Sequence, residues 1–163
     1  MIFVTVGSQL PFDRLIHAVD KWAETNKKHA VFAQIGISSS PPKHIEFCQT
    51  MTPDAYQENL KKAALIIAHA GTGTIISALE LGKPLLLMPR LASQGEHRND
   101  HQLATTKYFS HLTNISVANN ETELVTLIDQ LIDANIIYSS SLETPVDPKL
   151  IKAIKEFIDP TAK

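Results

Sequence analysis

The segment of the sequence best suited to hold an anion joins a predicted strand to a predicted helix. His69–Thr74 reads HAGTGT and follows the apolar run Leu65–Ala68. Gly71 and Gly73 let backbone N–H groups come close to a ligand, and the N-terminal end of the following helix favours a negative charge. A diphosphate fits these properties. The alternative is a tight strand-to-helix turn in which Thr72 and Thr74 have no ligand and Thr74 only caps the helix.

The sequence lacks the dinucleotide-binding motif and the motifs of serine and cysteine hydrolases. Ile76 stands where the dinucleotide fingerprint GxGxxG needs its third glycine, and Leu85–Met88 runs into Pro89 and Arg90 rather than into an acidic residue. These two departures disfavour NAD binding. No serine lies in a GxSxG motif, and Cys48 has no base next to it in the sequence, so a hydrolase with a serine or cysteine nucleophile is disfavoured as well.

Three further polar positions admit either a binding or a structural role. Glu80, near the end of the helix after Gly73, could accept two hydrogen bonds from ribose hydroxyls, or lie on a solvated helix face. Ser8, after Gly7, could bind a phosphate or a base, or cap the first helix. His69 ends a strand in an apolar setting, where a lone histidine is more often a packed core or turn residue than a ligand.

A dense polar cluster, EHRNDHQ at Glu96–Gln102, follows the buried strand that ends at Met88. If a helix begins near Arg98, then His101 and Gln102 lie in its first turn, where they could bind a sugar. His97, Asp100 and His101 also have the i, i+3, i+4 spacing of metal ligands on one helix face, but no second ligand cluster is apparent. A solvated helix start is the third possibility.

Strand-like and helix-like runs alternate along the chain, which predicts a single α/β domain. Its mostly parallel, doubly wound, Rossmann-like sheet has about six strands flanked by helices, because parallel strands need helical crossovers. The ligand site of such a sheet lies at the carboxyl ends of its strands. The predicted strands are Ile2–Val6, Val31–Ile35, Ile45–Cys48, Leu65–Ala68, Leu85–Met88 and Ile115–Ala118. Predicted helices follow Pro11, Thr52 and Asn120, two more span Thr74–Leu81 and Asn99–Phe109, and a last one begins at Asp147–Pro148.

Composition narrows the functional classes. The chain has 163 residues, a single cysteine and a formal net charge of -2, which fits one domain without disulfides and leaves no basic stripe for a nucleic acid. Its apolar runs are far shorter than the ~20 residues that span a bilayer. We expect one domain over residues 1–163, located in the cytoplasm, with any membrane contact peripheral and made through a partner.

In this order, the motifs FVTVGS at residues 3–8, FDRLI at 12–16, HAGTGT at 69–74 with Glu80 and GKP at 82–84, and NDHQ at 99–102 resemble a known family. They resemble the nucleotide-sugar-binding, C-terminal half of GT-B glycosyltransferases, the MurG-like domain of family 28. The likeness covers about residues 1–135. It is greatest to stand-alone donor-binding subunits of split enzymes in dolichol-linked glycan and exopolysaccharide assembly.

The resemblance implies a UDP-sugar-binding catalytic subunit of a two-component inverting glycosyltransferase that acts on a lipid-linked acceptor. Gly71–Thr74 would hold the diphosphate, Glu80 the ribose, and His101 with Gln102 the donor sugar or its phosphate. Gly7 and Ser8 would line the same cleft, and the base would lie near Gly36 and residues 47–51.

The same family likeness implies no metal or other cofactor. It also implies a membrane-associated second subunit that holds the acceptor and supplies the general base, with the helix at 147–163 packed on that partner or on the domain itself. The alternatives are a non-catalytic nucleotide sensor and a metal-dependent hydrolase that uses His97, Asp100 and His101.

Overall fold

A computed structural model describes residues 1–38, 40–134 and 152, and the predicted helix at 147–163 lies outside this part apart from Lys152. In the described part, strands and helices alternate as the sequence predicts. The strands are β1 (Ile2–Thr5), β2 (Val31–Gln34), β3 (Glu46–Cys48), β4 (Leu65–His69), β5 (Leu85–Met88) and β6 (Ile115–Val117). The helices are α1 (Asp13–Thr25), α2 (Pro53–Lys62), α3 (Thr72–Glu80), α4 (His101–Phe109) and α5 (Glu121–Asp133), with a 3₁₀ turn at Ala92–Gln94.

All pairings between the described strands are parallel, and the strand order is β3-β2-β1-β4-β5-β6. The chain moves outward from β1 in one direction and then, after β3, returns to the other side of β1 at β4. The prediction of a doubly wound parallel sheet is therefore confirmed. The order reverses between β1 and β4, and at such a position the connections from neighbouring strands leave toward opposite faces and open a crevice.

Alternate residues of the central strands point to opposite faces, and both faces are covered. Ile2 and Val4 of β1 belong to the cluster that packs against α1 and α5, whereas Phe3 belongs to the cluster that packs against α2, α3 and α4. Burial on both sides explains why β4 and β5 are continuous apolar runs rather than alternating ones.

Side-chain caps fix two helix starts where the sequence predicts them. The Thr52 hydroxyl accepts a hydrogen bond from the Ala55 N–H at 3.3 Å, and the Asn120 side chain accepts one from the Glu123 N–H at 2.8 Å. Two other starts differ from the prediction by two residues, because α3 begins at Thr72 rather than Thr74 and α4 at His101 rather than Asn99.

Within the described ranges, no helix combines the length and the apolar character that crossing a membrane requires.

Candidate functional site

A cavity of about 470 Å³ opens at the point where the strand order reverses. Its walls come from the loops after β1, β4 and β5 and from the first turns of α3 and α4. These loops lie at the carboxyl ends of their strands, where the sequence analysis expects the ligand site. The cavity is lined by Val6, Gly7, Ser8, Gln9, Leu10, His69, Ala70, Gly71, Thr72, Gly73, Thr74, Arg90, His97, His101, Gln102 and Thr105.

Most of the residues that the sequence nominates for donor binding share this cavity. The lining includes Gly7, Ser8, His69, Gly71, Thr72, Gly73, Thr74, His101 and Gln102. They come from three segments separated by up to about a hundred residues, and the parallel sheet brings them together because all the strands end on the same side. What each of these residues binds stays a prediction.

Glu80 is the nominated residue that the structure does not place with the others. It is the exposed last residue of α3, eight positions after Thr72, which corresponds to about 12 Å along the helix axis. It is not among the residues that line the cavity. Glu80 thus lies at the opposite end of α3 from the N-terminus that borders the cavity, and its role in ribose binding stays a prediction.

His69 is held between two glycines from different loops. A Cβ atom on Gly71 would lie 2.3 Å from His69 Nε2, and one on Gly7 would lie 2.8 Å from His69 Cε1. Gly7 also has φ +76, a conformation that L side chains rarely adopt. Both glycines are thus needed to make room for the imidazole, a role that their sequence context alone does not indicate.

The imidazole of His69 is neutral at physiological pH. Burial lowers its pKa to about 4, and the nearby positive charge of Arg90 acts in the same direction. A buried nitrogen of the ring, Nδ1, has no hydrogen-bond partner among the described residues. His69 therefore presents a neutral ring with unused hydrogen-bonding capacity beside the cavity.

The N-terminus of α3 borders the cavity without a side-chain cap. Gly71 is the N-cap residue, and no side chain accepts from the first N–H groups of the helix. These N–H groups lack carbonyl partners in any helix, so they remain donors for an anion. The Thr74 hydroxyl is instead within 2.7 Å of the Tyr56 hydroxyl, which gives Thr74 a structural contact with α2.

Gln102 joins the loops that follow β4 and β5. Its side-chain oxygen accepts hydrogen bonds from the N–H groups of Ala70, at 3.2 Å, and Arg90, at 3.0 Å. The residue is only 4% exposed. Gln102 therefore fixes the distance between the two loops, in addition to lining the cavity.

The residues proposed as metal ligands have other partners. Asp100 accepts a hydrogen bond from the Ala92 N–H at 2.8 Å, and His101 Nδ1 forms a short hydrogen bond with Asn99 Oδ1. The rings of His97 and His101 pack edge to face with centroids 4.5 Å apart. In the described part of the chain, no group of three or more His, Cys, Asp or Glu side chains is arranged to hold a metal. The geometry therefore does not support the metal-dependent hydrolase.

Arg90 is the lining residue that sequence reasoning missed. It is 2% exposed and donates to the carbonyl oxygens of Val6, at 2.7 Å, and Leu10, at 2.6 Å. Its Nε, like Nδ1 of His69 and Nδ1 of His97, is a buried nitrogen without a hydrogen-bond partner in the described part of the chain. The sequence signal that could have identified Arg90 is a cationic residue shortly after the end of a buried strand. Three such nitrogens on residues that line one cavity indicate a polar ligand.

A second cavity, of about 260 Å³, adjoins the first and shares Gly7 and Ser8 with it. Its other lining residues are Gln34, Thr50, Met51, Pro53 and Tyr56. Thr50 and Met51 belong to the region where the family resemblance locates a base, whereas Gly36 does not line this cavity. Its wall is mainly apolar, as a flat aromatic ring requires.

The chain matches a family of known fold over most of its length. Residues 1–143 match the glycosyltransferase family 28 C-terminal domain. The chain belongs to this family. The recognition from sequence motifs is thereby confirmed.

Relatives of known function match a shorter part of the chain. The UDP-N-acetylglucosamine transferase subunit ALG13 of Homo sapiens is 32% identical over 117 residues, which cover 65% of this chain and 10% of the human protein. ALG13 of Yarrowia lipolytica is 28% identical over 99 residues, covering 51% of this chain and 48% of that protein. The matched region thus spans a tenth to about half of the length of these relatives.

Solved structures share the fold at low sequence identity. The solution structure of ALG13 has a TM-score of 0.62 and 17% identity, with 98% of this chain and 95% of that chain covered. MurG of Acinetobacter baumannii has a TM-score of 0.60 and 16% identity, and the match covers 94% of this chain and 49% of MurG. The second comparison shows that this domain corresponds to one half of a larger protein of the same architecture.

Proposed function

We propose that this chain is the donor-binding subunit of a two-component glycosyltransferase that uses a UDP-sugar. The observation that carries the proposal is the cavity at the reversal of strand order, whose wall combines an uncapped helix N-terminus with three buried nitrogens that lack hydrogen-bond partners among the described residues. Family membership supports glycosyl transfer, and the relatives named as UDP-N-acetylglucosamine transferase subunits make that donor the first candidate.

In this proposal the parts of the donor occupy different parts of the site. The diphosphate lies against the N–H groups of residues 72–74, the base enters the adjoining cavity near Met51, and the sugar faces His101 and Gln102. In the inverting reaction an acceptor hydroxyl attacks the anomeric carbon while the bond from that carbon to the UDP oxygen breaks. Backbone N–H donors fixed in place stabilise the charge that develops on the leaving diphosphate.

The acceptor and the general base belong to a second subunit. This subunit is proposed to be membrane-associated, to hold a lipid-linked acceptor and to take the proton from its hydroxyl, while the present chain stays in the cytoplasm and reaches the membrane through it. The match to half of MurG supports this division, since a second domain of that protein has no counterpart in the matched region.

Isothermal titration of the full chain with UDP, UDP-N-acetylglucosamine, ADP and GDP tests the donor proposal. We expect the uridine nucleotides to bind in a one-to-one complex and the purine nucleotides to bind at least tenfold more weakly. Absence of UDP binding, both for the chain alone and in the presence of its partner subunit, would overturn the proposal. UDP binding without transfer in the reconstituted complex would instead favour the nucleotide sensor.

Gly73→Ala tests whether the diphosphate lies at the start of α3. A Cβ atom on Gly73 would have no neighbour within 4 Å, so alanine does not disturb the protein itself. A ligand that lies against this backbone would meet the new methyl group, and we expect a loss of UDP affinity of about tenfold or more with no loss of thermal stability. The control is Ser77→Ala, which lies later in the same helix and outside the cavity lining. Gly82→Ala would not serve as a control, because Gly82 has φ +60 and alanine would be strained there.

A further inference from the structure

Arg90 carries a buried positive charge that no carboxylate of the described residues contacts. Its side chain is almost fully buried, yet no carboxylate among the described residues lies within ion-pair distance of it. The carboxylate of Glu96 is paired with Arg14, and its charge acts on Arg90 only from beyond ion-pair distance. A buried charge that no opposite charge contacts is unfavourable, so an anion in contact with Arg90 would stabilise it.

The guanidinium is held firmly in place on one side. One terminal nitrogen donates to the carbonyl oxygens of Val6 and Leu10, and the Phe12 ring lies 5.3 Å from the guanidinium carbon. These contacts satisfy a few donors and provide no full negative charge. The Nε donor remains without a partner. Burial lowers the pKa of Arg90, as expected for a cation that is poorly compensated.

The position of Arg90 restricts what the missing partner is. The residue lines the same cavity as His69, Gly71 and His101. Other contributors to the wall, the neutral His69 and the N-terminus of α3, provide donors and partial charges but no second fixed cation. An anion bound in the cavity would therefore be the counter-ion of Arg90.

We propose that Arg90 is a specificity-determining residue of the donor site, whose charge selects ligands with a diphosphate over those with one phosphate or none. This inference rests on the proposed function and extends it, because neither the resemblance nor the sequence motifs give Arg90 a role in binding the phosphates. The charge acts on the phosphates at short range in a poorly hydrated pocket, where the interaction is stronger than in water.

Arg90 also supports the loop after β1 through Val6 and Leu10, so the test must separate the charge from the support. Binding of UDP, UMP and uridine to the full chain and to Arg90→Gln does this. Loss of the charge lowers the affinity most for UDP, less for UMP and least for uridine, whereas loss of loop support lowers all three by the same factor. We expect a loss of about 10- to 100-fold for UDP and of less than threefold for uridine.

Arg98→Gln is the matched control. It removes the same charge from the same loop, but Arg98 is exposed and does not line the cavity. We expect its preference for UDP over uridine to equal that of the unsubstituted chain. Arg90→Lys keeps a charge and loses the two-carbonyl contact, and we expect it to bind all three ligands more weakly while retaining most of the preference for UDP.

The proposal also has a test that needs no substitution. In the ¹⁵N-labelled full chain, the Nε–H signal of Arg90 should shift on addition of UDP and stay unchanged on addition of uridine. An equal loss of all three ligands in Arg90→Gln, or an Nε signal that does not respond to UDP, would overturn the role of Arg90 and leave the donor proposal standing. Failure of the unsubstituted chain to bind UDP at all would overturn the donor proposal itself.

Discussion

Arg14 Nε, on α1, donates a hydrogen bond to Oε1 of Glu96 at 2.7 Å, although the two residues are 82 positions apart in sequence. The Arg14 Nη2 group donates to the other carboxylate oxygen at 2.9 Å, and Leu91 N–H donates to that same oxygen at 2.9 Å. This two-point pair connects α1 to the loop between β5 and α4. Since the loop carries His97 and leads into His101, the pair fixes one wall of the candidate site.

Glu96→Gln should lower the free energy of unfolding by about 1–3 kcal/mol, because it removes a charge-assisted pair whose side chains are only 8% and 11% exposed. Urea unfolding measures the change. The control is Glu58→Gln, which breaks the exposed Lys62–Glu58 pair on α2 and should cost less than about 0.5 kcal/mol. Similar losses for the two variants would mean that the Arg14–Glu96 pair contributes no more than a surface contact.

Gly71→Ala should destabilise the protein by about 1–3 kcal/mol, because its Cβ would overlap the His69 ring at 2.3 Å from Nε2. The backbone itself tolerates alanine, since Gly71 has φ -88. The double variant Gly71→Ala with His69→Ala should therefore be more stable than the sum of the two single losses predicts. Additive losses in thermal or urea unfolding would show that the two residues do not compete for the same space.

The low pKa of His69, about 4, makes stability depend on pH. Between pH 6.5 and 4 the unfolded chain binds a proton that the folded protein excludes, so stability falls as the pH is lowered through this window and is fully present above it. We expect His69→Gln to remove a pH-dependent contribution of about 3 kcal/mol from the unfolding free energy across this range. His111→Gln, on an exposed residue, should keep the slope of the original protein. A slope unchanged in His69→Gln would refute the buried neutral histidine.

Glu80→Gln separates the family-based expectation from the geometry. The resemblance assigns Glu80 to the ribose, which would make the substitution cost a charge-assisted hydrogen bond of about 1.5–3 kcal/mol. The structure places Glu80 outside the cavity, and we accordingly expect an affinity for UDP within twofold of the original value. Titration calorimetry measures the affinity of the variant for UDP. A tenfold or larger loss of affinity would show that Glu80 contributes to UDP binding.

Sequence reasoning predicts the elements well where local signals agree. Pro84 and Pro89 enclose β5, and Thr52 and Asn120 supply side-chain caps, so these boundaries follow from neighbouring residues. The starts of α3 and α4 are less determined, because Gly71 and Asp100 provide no side-chain cap. Element order then fixes which strand ends meet, and the location of the site follows from it.

The features that sequence reasoning missed are contacts between distant segments. In the sequence, Arg90 is an ordinary charged residue after a strand. Only the fold shows that it is buried and donates hydrogen bonds to the loop that follows β1. Gln102 was expected to face a ligand, yet its side-chain oxygen joins the two neighbouring loops. Glu80 has a side chain that could bind a ribose, and it lies on the helix that borders the cavity. Its distance from the N-terminus of α3 depends on where that helix begins, and the sequence does not fix that residue.

The enclosure of His69 by two glycines also bears on how this domain can be diversified. Positions 69 and 71 must vary together, since a larger residue at position 71 is compatible only with a smaller one at position 69. A library that randomises one of them at a time should return almost nothing but the present residue. Simultaneous randomisation of positions 69 and 71 should recover further combinations, and those would differ in the shape they give to the bottom of the pocket, whereas the positive φ of Gly7 should keep position 7 as glycine.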